Sequence, residues 1–509
     1  MKLTELTASL TGVTPYETQA PADLNIEHLT YDSREVEAGT LFFCKGQHFQ
    51  AKYLSEAKQA GALAYVSEEI YPEVNLPRIQ VQDIRLAMAA MAACFYGQPD
   101  QKLHLIGLTG TKGKTTVTHY LRAILDAALG KPTAYLASNT YFDGLERGES
   151  ALTTPEAIPL YQHLAKAYQA GEDYLTMEVS SQALKYERVW GLGFEVAGFT
   201  NIEEDHIGPG EHPDFADYLK SKLKIFDQAQ VAVLNQDMAH WEEVLGAAKA
   251  SASVEKIVTI SLEDPKATYY ADKLYVDEAG QHFTVHTPTG EASLTLAMPG
   301  YFNVQNALMA LAISGYYGLS LAVAKKALAK VTVPGRMVEL ASQDGKVEVI
   351  VDIAHNRLSY ETLFQALQDM YPHRRLTIVF GAPGEKGFNR RYDLPEVASR
   401  YADRLILTEE DMGTADPKEV LGLMQAIVKK QGKQATIIED REEAVKAAVK
   451  EAVESPEPSV VILAGKGDEA TIKRGEVYEP FPGDKVFAEE ILTEYDEKMA
   501  KKSKASDPS

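Results

Sequence analysis

This sequence predicts an α/β fold of three domains, an N-terminal α/β domain, a central doubly wound parallel sheet and a C-terminal Rossmann-like domain, and three observations carry the prediction. Short β-type runs alternate with helix-like stretches along nearly all of the chain. Two breaks, Gly97-Gln98-Pro99-Asp100 and Val333-Pro334-Gly335-Arg336, cut that alternation into three lengths. A glycine-rich turn, Thr109-Gly110-Thr111-Lys112-Gly113-Lys114-Thr115-Thr116, stands between a strand and a helix. The 509 residues are too many for one ordinary domain.

In the first domain, residues 1–100, β-type runs at 40–44, 62–67 and 78–81 alternate with helical stretches at 53–60 and 84–95. The second, 101–335, opens on the strand LHLIGL from Leu103, and its helix starts near Lys114. Further strands at 174–177 and 196–200 imply a parallel sheet. Around 265–298 the pattern turns β-rich and exposed, and a helix follows over 303–317. The third domain, 336–509, is Rossmann-like. Strands at 347–353, 375–380, 404–408, 435–438 and 459–464 alternate with helices at 359–370, 417–430 and 441–453. The polar tail from Lys498 is expected to fray.

Lys and Arg number 51 against 73 Asp and Glu, a formal charge of −22. Such a field excludes a nucleic-acid coat or an anionic-membrane binder, because both need a broad basic surface. An anionic ligand must therefore be gathered by a local cluster of donors. Two cysteines, Cys44 and Cys94, exclude a disulfide framework and a four-thiolate zinc site. The start MKLTELTASL lacks a signal-peptide core, and no run approaches the ~18 apolar residues of a membrane span. The expectation is a cytoplasmic monomer with neither nucleic acid nor membrane as partner.

Gly110, Thr111, Lys112, Gly113, Lys114, Thr115 and Thr116 form the predicted phosphate cradle. Its glycines let the backbone curl so that N–H groups face phosphate oxygens, and the helix N-terminus adds partial positive charge. Lys114 reaches the terminal phosphates and Thr115 offers its hydroxyl to Mg²⁺. Leu108 occupies the first glycine position of G-x-x-x-x-G-K-[ST], so the loop is a short form. The plainer reading is a turn with an exposed lysine; the strand before and the helix after favour phosphate. Glu178 ends an apolar strand and His206 follows another, where parallel sheets bind ligands. Carboxylate and imidazole suit Mg²⁺ or Mn²⁺ beside Thr115. Read singly, each is only a strand-end carboxylate or a loop histidine.

The short form T-G-T-x-G-K-T-[ST] resembles the loop of the ATP-dependent Mur ligases of peptidoglycan synthesis and their folylpolyglutamate synthetase relatives. Further matches follow in that family's order: Thr153-Thr154-Pro155, Met177 to Gln182, Thr200-Asn201-Ile202 with Asp205-His206, Phe302 to Asn306, Pro334-Gly335-Arg336, Asp352 to Asn356 and Ala464 to Gly467. Tyr31-Asp32-Ser33-Arg34 with Gly39 to Phe43 is similar to the UDP-binding domain of UDP-N-acetylmuramyl-tripeptide synthetases, which folylpolyglutamate synthetases lack.

The resemblance implies an ADP-forming amide ligase that uses ATP, Mg²⁺ and UDP-N-acetylmuramoyl-L-alanyl-D-glutamate, with Lys114, Lys222 and His206 as its catalytic residues. It implies Thr115, Glu178, His206 and Lys222 around the metal, Lys222 as a carbamate (N6-carboxylysine), with Lys220 and Lys224 as alternatives by register. Ser33, Thr153, Thr154, Ser180 and Arg188 are implied at the sugar nucleotide and peptide. Hydroxyls and an arginine are apt donors for a diphosphate, although turns, helix caps or a surface ion pair also employ them. Asn303 is expected at the adenine, Arg336 at the γ-phosphate, and Asp352 and His355 on the same cleft.

Family members that add meso-diaminopimelate resemble one another in an Asp-Asn-Pro-Arg motif, whose arginine pairs with the far carboxylate. Here that stretch is Glu410-Asp411-Met412-Gly413. Gly413 cannot grip a carboxylate, and Glu409, Glu410 and Asp411 predict a negative field that favours a terminal ammonium. Arg390 or Arg391 is expected at the amino acid's α-carboxylate and Glu469 at its amine. L-lysine is the expected substrate, with L-ornithine the near alternative. A nucleotide switch on a degenerate ligase fold is disfavoured, since a pure scaffold has no chemical need for Lys114, Glu178, His206 and Lys222 together.

Overall fold

The computed structural model describes residues 1–505 apart from Gln47, His48, Pro209, Gly210 and Glu278. It contains three α/β sheets in sequence. The first lies in the spatial order Tyr16–Thr18, Arg78–Val81, Ala64–Ser67, Thr40–Phe43, His28–Thr30, parallel except at the Tyr16–Thr18 edge. Side chains alternate across a strand. Phe42 packs with Leu54, Ala57 and Tyr65 beneath the helix Ala51–Ala60. Leu41 and Phe43 point the other way, into a core shared with Leu105, Leu175 and Phe199 of the next sheet. One continuous apolar core therefore joins the N-terminal and central parts.

The central sheet has eleven strands. Its parallel body runs Ala134–Leu136, Tyr174–Glu178, His104–Thr109, Phe194–Phe199, Ala229–Asn235, Lys256–Ser261, Tyr269–Asp277. The β-rich stretch continues from it as antiparallel Gly280–Thr287 and Gly290–Leu296. Register sets Leu108 opposite Glu178 and Thr109 opposite Phe199. The glycine-rich turn, Glu178 and the segment after Phe199 thus leave the sheet side by side at its carboxyl edge, where doubly wound sheets bind ligands.

The third sheet runs Val338–Ala341, Val347–Asp352, Ser459–Ala464, Arg375–Phe380, Arg404–Leu407, Ala435–Ile437, parallel except at its first edge. Apolar residues cover both faces: Ile350, Ile378 and Val460 on one, Val349, Val379 and Val461 on the other. No helix among the described residues is long and apolar enough to cross a membrane.

Both breaks are packed into the structure, and the tail departs from expectation. The break at 97–100 is no exposed tether: Pro99–Lys102 is a short 3-10 helix, and Pro99 and Asp100 are buried. The break at 333–336 is docked as well, with Ile353 N donating to Gly335 O at 3.0 Å. The tail does not fray at Lys498 but belongs to a helix, Asp484–Ala505. Phe487, Ala488 and Leu492 anchor that helix in the C-terminal core, and the strong helix formers Lys and Ala propagate it. The last four residues of the tail lie outside the described ones.

The same helix begins with a buried ion pair. Arg441 donates to Asp484 through Nε (2.8 Å) and Nη2 (2.6 Å), both residues being fully enclosed. Nη2 also reaches Ala464 O at 2.8 Å. Asp484→Ala leaves that guanidinium buried and uncompensated, so it is expected to destabilise the C-terminal domain by about 3–5 kcal/mol. Denaturant unfolding followed by hydrogen exchange at the C-terminal strands measures this; a loss below about 1 kcal/mol contradicts it.

Candidate functional site

The glycine-rich turn is shaped by what surrounds it. Gly110 has φ 137°, and a Cβ there would lie 2.0 Å from Thr200 Oγ1, so only glycine fits. The helix Lys114–Leu129 starts immediately after the turn. Lys112 N donates to Asn201 Oδ1 (2.8 Å), and Thr111 Oγ1 meets Tyr218 OH at 3.0 Å.

Two lysines converge on one carbonyl. Lys114 Nζ and Lys222 Nζ each lie 2.8 Å from Gly110 O, and Lys222 is 2 % exposed with no carboxylate hydrogen-bond partner among the described residues. Burial, reinforced by the Lys114 charge, holds the Lys222 pKa well below the ordinary lysine value. Lys114 is lowered by burial as well. Of the three helix lysines only Lys222 enters the site: Lys220 faces solvent and Lys224 pairs with Glu187 at 2.6 Å.

Glu178 lies beside this pair. Its Oε1 accepts from Thr115 Oγ1 (2.8 Å) and Ser138 N (2.9 Å), and its Oε2 from Ser138 Oγ (2.9 Å). The Thr115 hydroxyl and this carboxylate are hard oxygen donors of the kind a divalent cation takes. His206 has φ 56° and turns its Nδ1 to Glu211 Oε1 (2.9 Å). Among the described residues no three His, Cys, Asp or Glu side chains cluster as a metal site. The expected set Thr115, Glu178, His206 and Lys222 is therefore not closed by protein carboxylates and imidazoles alone.

Thr153 Oγ1 lies 3.2 Å from Ser138 Oγ, whose hydroxyl hydrogen goes to Glu178. Thr154 Oγ1 donates to Glu178 O (2.9 Å) and accepts from Ser180 N (3.0 Å), while Ser180 caps the helix Ser181–Lys185. Arg188 pairs with Glu156 (2.9 Å), which Lys45 also meets (2.7 Å). Lys45 comes from the N-terminal domain and lies over the Tyr31 ring at 4.7 Å. From there a groove of about 550 Å³ opens over Tyr31, Ser33, Phe49 and Tyr53. Ser33 Oγ donates to Glu56 at 3.1 Å along its wall. Sequence reasoning missed Lys45, Glu156 and Ser138, because no motif marks them and tertiary packing alone brings them in.

A cavity of about 340 Å³ runs from the glycine-rich turn to the C-terminal domain, lined among others by Lys112, Thr116, Asn306, Phe302, Arg336 and His355. Asn303 does not face it. That side chain is fully buried and donates to Pro299 O at 2.8 Å; Gln305 and Asn306, two and three residues further along the helix, line the cavity instead. Asp352 also lines it, with its carboxylate accepting from Met337 N and Ala354 N at 2.8 and 2.7 Å, and burial raises its pKa.

Asp205 fastens the central and C-terminal domains together. It accepts from Arg390 Nη2 (3.1 Å) and Asn356 Nδ2 (3.0 Å), with Lys112 at 3.5 Å, and Lys112 Nζ lies 2.8 Å from His355 Nε2. Burial opposes its charge, but Lys112 and Arg390 hold its carboxyl well below the usual range. Lys112 itself is pushed down to about 7 by burial. The expectation of Arg390 as a free anchor is thus corrected in this conformation: its partner is Asp205. Arg391 likewise spends its guanidinium on Pro383 O and Gly384 O.

The expected negative field is also corrected. Glu409 pairs with Arg474, Asp411 with Lys466 (3.0 Å), and Glu469 with the same lysine. Only Glu410 of that run lacks a direct cation; its Oε2 is buried without a hydrogen-bond partner among the described residues, and burial raises its pKa. Gly413 has φ 56°, and a Cβ there would lie 2.3 Å from the Glu385 carboxyl carbon.

Comparison with known proteins bears on this arrangement. The Mur ligase middle domain family matches residues 108–314, and the Mur ligase glutamate ligase domain family matches 335–467. A UDP-N-acetylmuramyl-tripeptide synthetase of Lactobacillus acidophilus is 37% identical over 489 residues, covering 92% of each chain. A UDP-N-acetylmuramoyl-L-alanyl-D-glutamate--L-lysine ligase of Enterococcus faecalis is 39% identical over 469 residues, 91% of each chain. Among solved structures, a UDP-N-acetylmuramoyl-L-alanyl-D-glutamate--2,6-diaminopimelate ligase superposes with TM-score 0.64 at 26% identity, over 97% of this chain and 99% of that one. Two matched domains and relatives aligned over nine-tenths of the sequence agree with the site built above: the chain belongs to the Mur ligase family and is a ligase that forms amide bonds.

Proposed function

We propose that the chain joins L-lysine to the D-glutamate of UDP-N-acetylmuramoyl-L-alanyl-D-glutamate at the expense of ATP, in peptidoglycan synthesis. The observation that carries the amino acid is Gly413: it has no side chain to meet a second carboxylate, and its positive φ disfavours one, while Glu410 keeps a bare carboxylate oxygen nearby. The Enterococcus faecalis relative, named as an L-lysine ligase, supports the same reading. L-ornithine is the second reading, because one methylene alters binding by only about 1–3 kcal/mol.

In this account the D-glutamate carboxylate attacks the γ-phosphorus of ATP, releasing ADP and leaving an acyl phosphate. The lysine amine then displaces phosphate and forms the amide. Lys114 and Arg336 offset the phosphate charge, and the cavity of Phe302, Gln305 and Asn306 holds the nucleoside. Thr115 and Glu178, with His206 and a carbamylated Lys222, would hold Mg²⁺ or Mn²⁺, which would supply charge neutralisation at the phosphates. A neutral lysine amine adds CO₂ to give a carbamate and a proton, and burial shifts Lys222 toward the neutral form. The division is N-terminal 1–100 for the uridine nucleotide, 101–335 for ATP and 336–509 for the amino acid, and Asp205 with Arg390 and Asn356 keeps water from the acyl phosphate when the last two close.

The test of this function is phosphate release from ATP by the full-length protein. It is expected to need both the UDP-muramoyl dipeptide and L-lysine; steady hydrolysis without either favours a nucleotide switch. Lys45→Ala is expected to raise KM for the UDP-sugar about tenfold or more while leaving KM for ATP unchanged, since one charged donor is lost from that groove alone. An equal change in both constants removes Lys45 from the sugar-nucleotide path.

A further inference from the structure

Where the N-terminal and central domains meet, a separate cavity of about 440 Å³ shares no lining residue with the nucleotide cavity or the Ser33 groove. Its walls come from the helices Leu3–Ala8, Ile84–Phe95 and Ala157–Gln169 and from the segment Pro99–Lys102. Two carboxylates line it, Glu5 at the exposed rim and Asp100 at 4 % exposure, and no lysine or arginine does. Asp100 accepts a long hydrogen bond from Gly193 N, 3.4 Å.

Tyr161 supplies the independent observation. It is fully buried yet lines this cavity, and its hydroxyl has no hydrogen-bond partner among the described residues. A buried hydroxyl left unpaired is a cost that native structures seldom carry without a reason. Burial and the nearby Asp100 charge both raise its pKa, so the phenol stays protonated and its oxygen offers lone pairs. Trp190 adds an aromatic wall, and Val13 and Ala93 add aliphatic surface.

We infer that this cavity binds a primary alkylammonium. Such a group carries three donors and no acceptor, matching a site of carboxylate and phenol oxygens. Its charge suits Asp100 and the face of an indole, and its alkyl chain lies against Val13 and Ala93. A ligand that also bears a carboxylate is repelled by Glu5 and Asp100. The simple amine is therefore the class, and the ligand bridges two domains.

The chain has two tryptophans, Trp190 and Trp241, so the full-length Trp241→Phe protein reports on Trp190 alone. Titration with 1,5-diaminopentane is expected to change its emission saturably, while the matched diacid glutarate does not. Asp100→Asn, which keeps shape and removes charge, is expected to raise Kd about tenfold or more. Tyr161→Phe weakens binding too, and Glu410→Gln, in the C-terminal acidic run, leaves it unchanged. An absent or non-saturating response, an equal response to glutarate, or a Kd unaltered in Tyr161→Phe overturns the site; that last variant keeps the ring and decides the matter if Asp100→Asn does not fold.

Discussion

Lys222→Ala is expected to reduce ligation by about 10²–10³-fold, the loss typical when a fixed charge at the reacting centre is removed. The Lys222 amine is enclosed, faces Gly110 O and has no carboxylate hydrogen-bond partner among the described residues, so it contributes little as an ordinary ion-pairing lysine. As a carbamate it would carry negative charge at the carbonyl of the glycine-rich turn that Lys114 also reaches, where a divalent cation is proposed. A short carboxylic acid such as formate or acetate, entering the space vacated by the side chain, is expected to restore part of the rate. Lys220→Ala and Lys224→Ala serve as comparisons, since one faces solvent and the other is tied to Glu187. Full activity in Lys222→Ala removes the carbamate from the account.

Lys114→Ala carries a loss of similar size, about 10²–10³-fold in kcat, for a different reason. Its ammonium lies over the glycine-rich turn at the start of the helix Lys114–Leu129, 2.8 Å from Gly110 O and 3.2 Å from Thr111 O. The backbone N–H groups of the turn still attract phosphate without it, so ATP binding is weakened less than turnover. UDP-sugar affinity, set in the Tyr31 and Ser33 groove, is expected to stay constant. Near wild-type turnover in this variant would refute the assignment.

What the sequence made legible was what depends on local chemistry. The turn Thr109–Thr116 was readable because only glycine fits at Gly110, and the alternating units after residue 336 were readable because each strand and helix carries its own apolar period. Distances across the domain seams were not readable. Arg390 was expected at a substrate carboxylate, yet Asp205, 185 residues earlier, takes it. The acidic run 409–411 looked like a negative field, but Arg474 and Lys466 neutralise two of its three members from a later hairpin and loop. Asn303 was placed at the nucleotide by motif position alone; helical phase decides instead, and it turns Asn306 to the cavity. The C-terminal helix failed for a related reason, because composition says polar while three buried residues, Phe487, Ala488 and Leu492, hold it in place.

On the proposed function, this site accepts a side chain ending in ammonium and refuses one ending in carboxylate. Parallel measurement of kcat/KM for L-lysine, L-ornithine and meso-diaminopimelate, at saturating ATP and UDP-muramoyl dipeptide, tests it most directly. The account predicts L-lysine first, L-ornithine lower by roughly ten- to a hundredfold for one missing methylene, and meso-diaminopimelate last. It also predicts that Glu410→Gln narrows the gap between lysine and meso-diaminopimelate. A higher kcat/KM for meso-diaminopimelate than for L-lysine in the unaltered protein contradicts it.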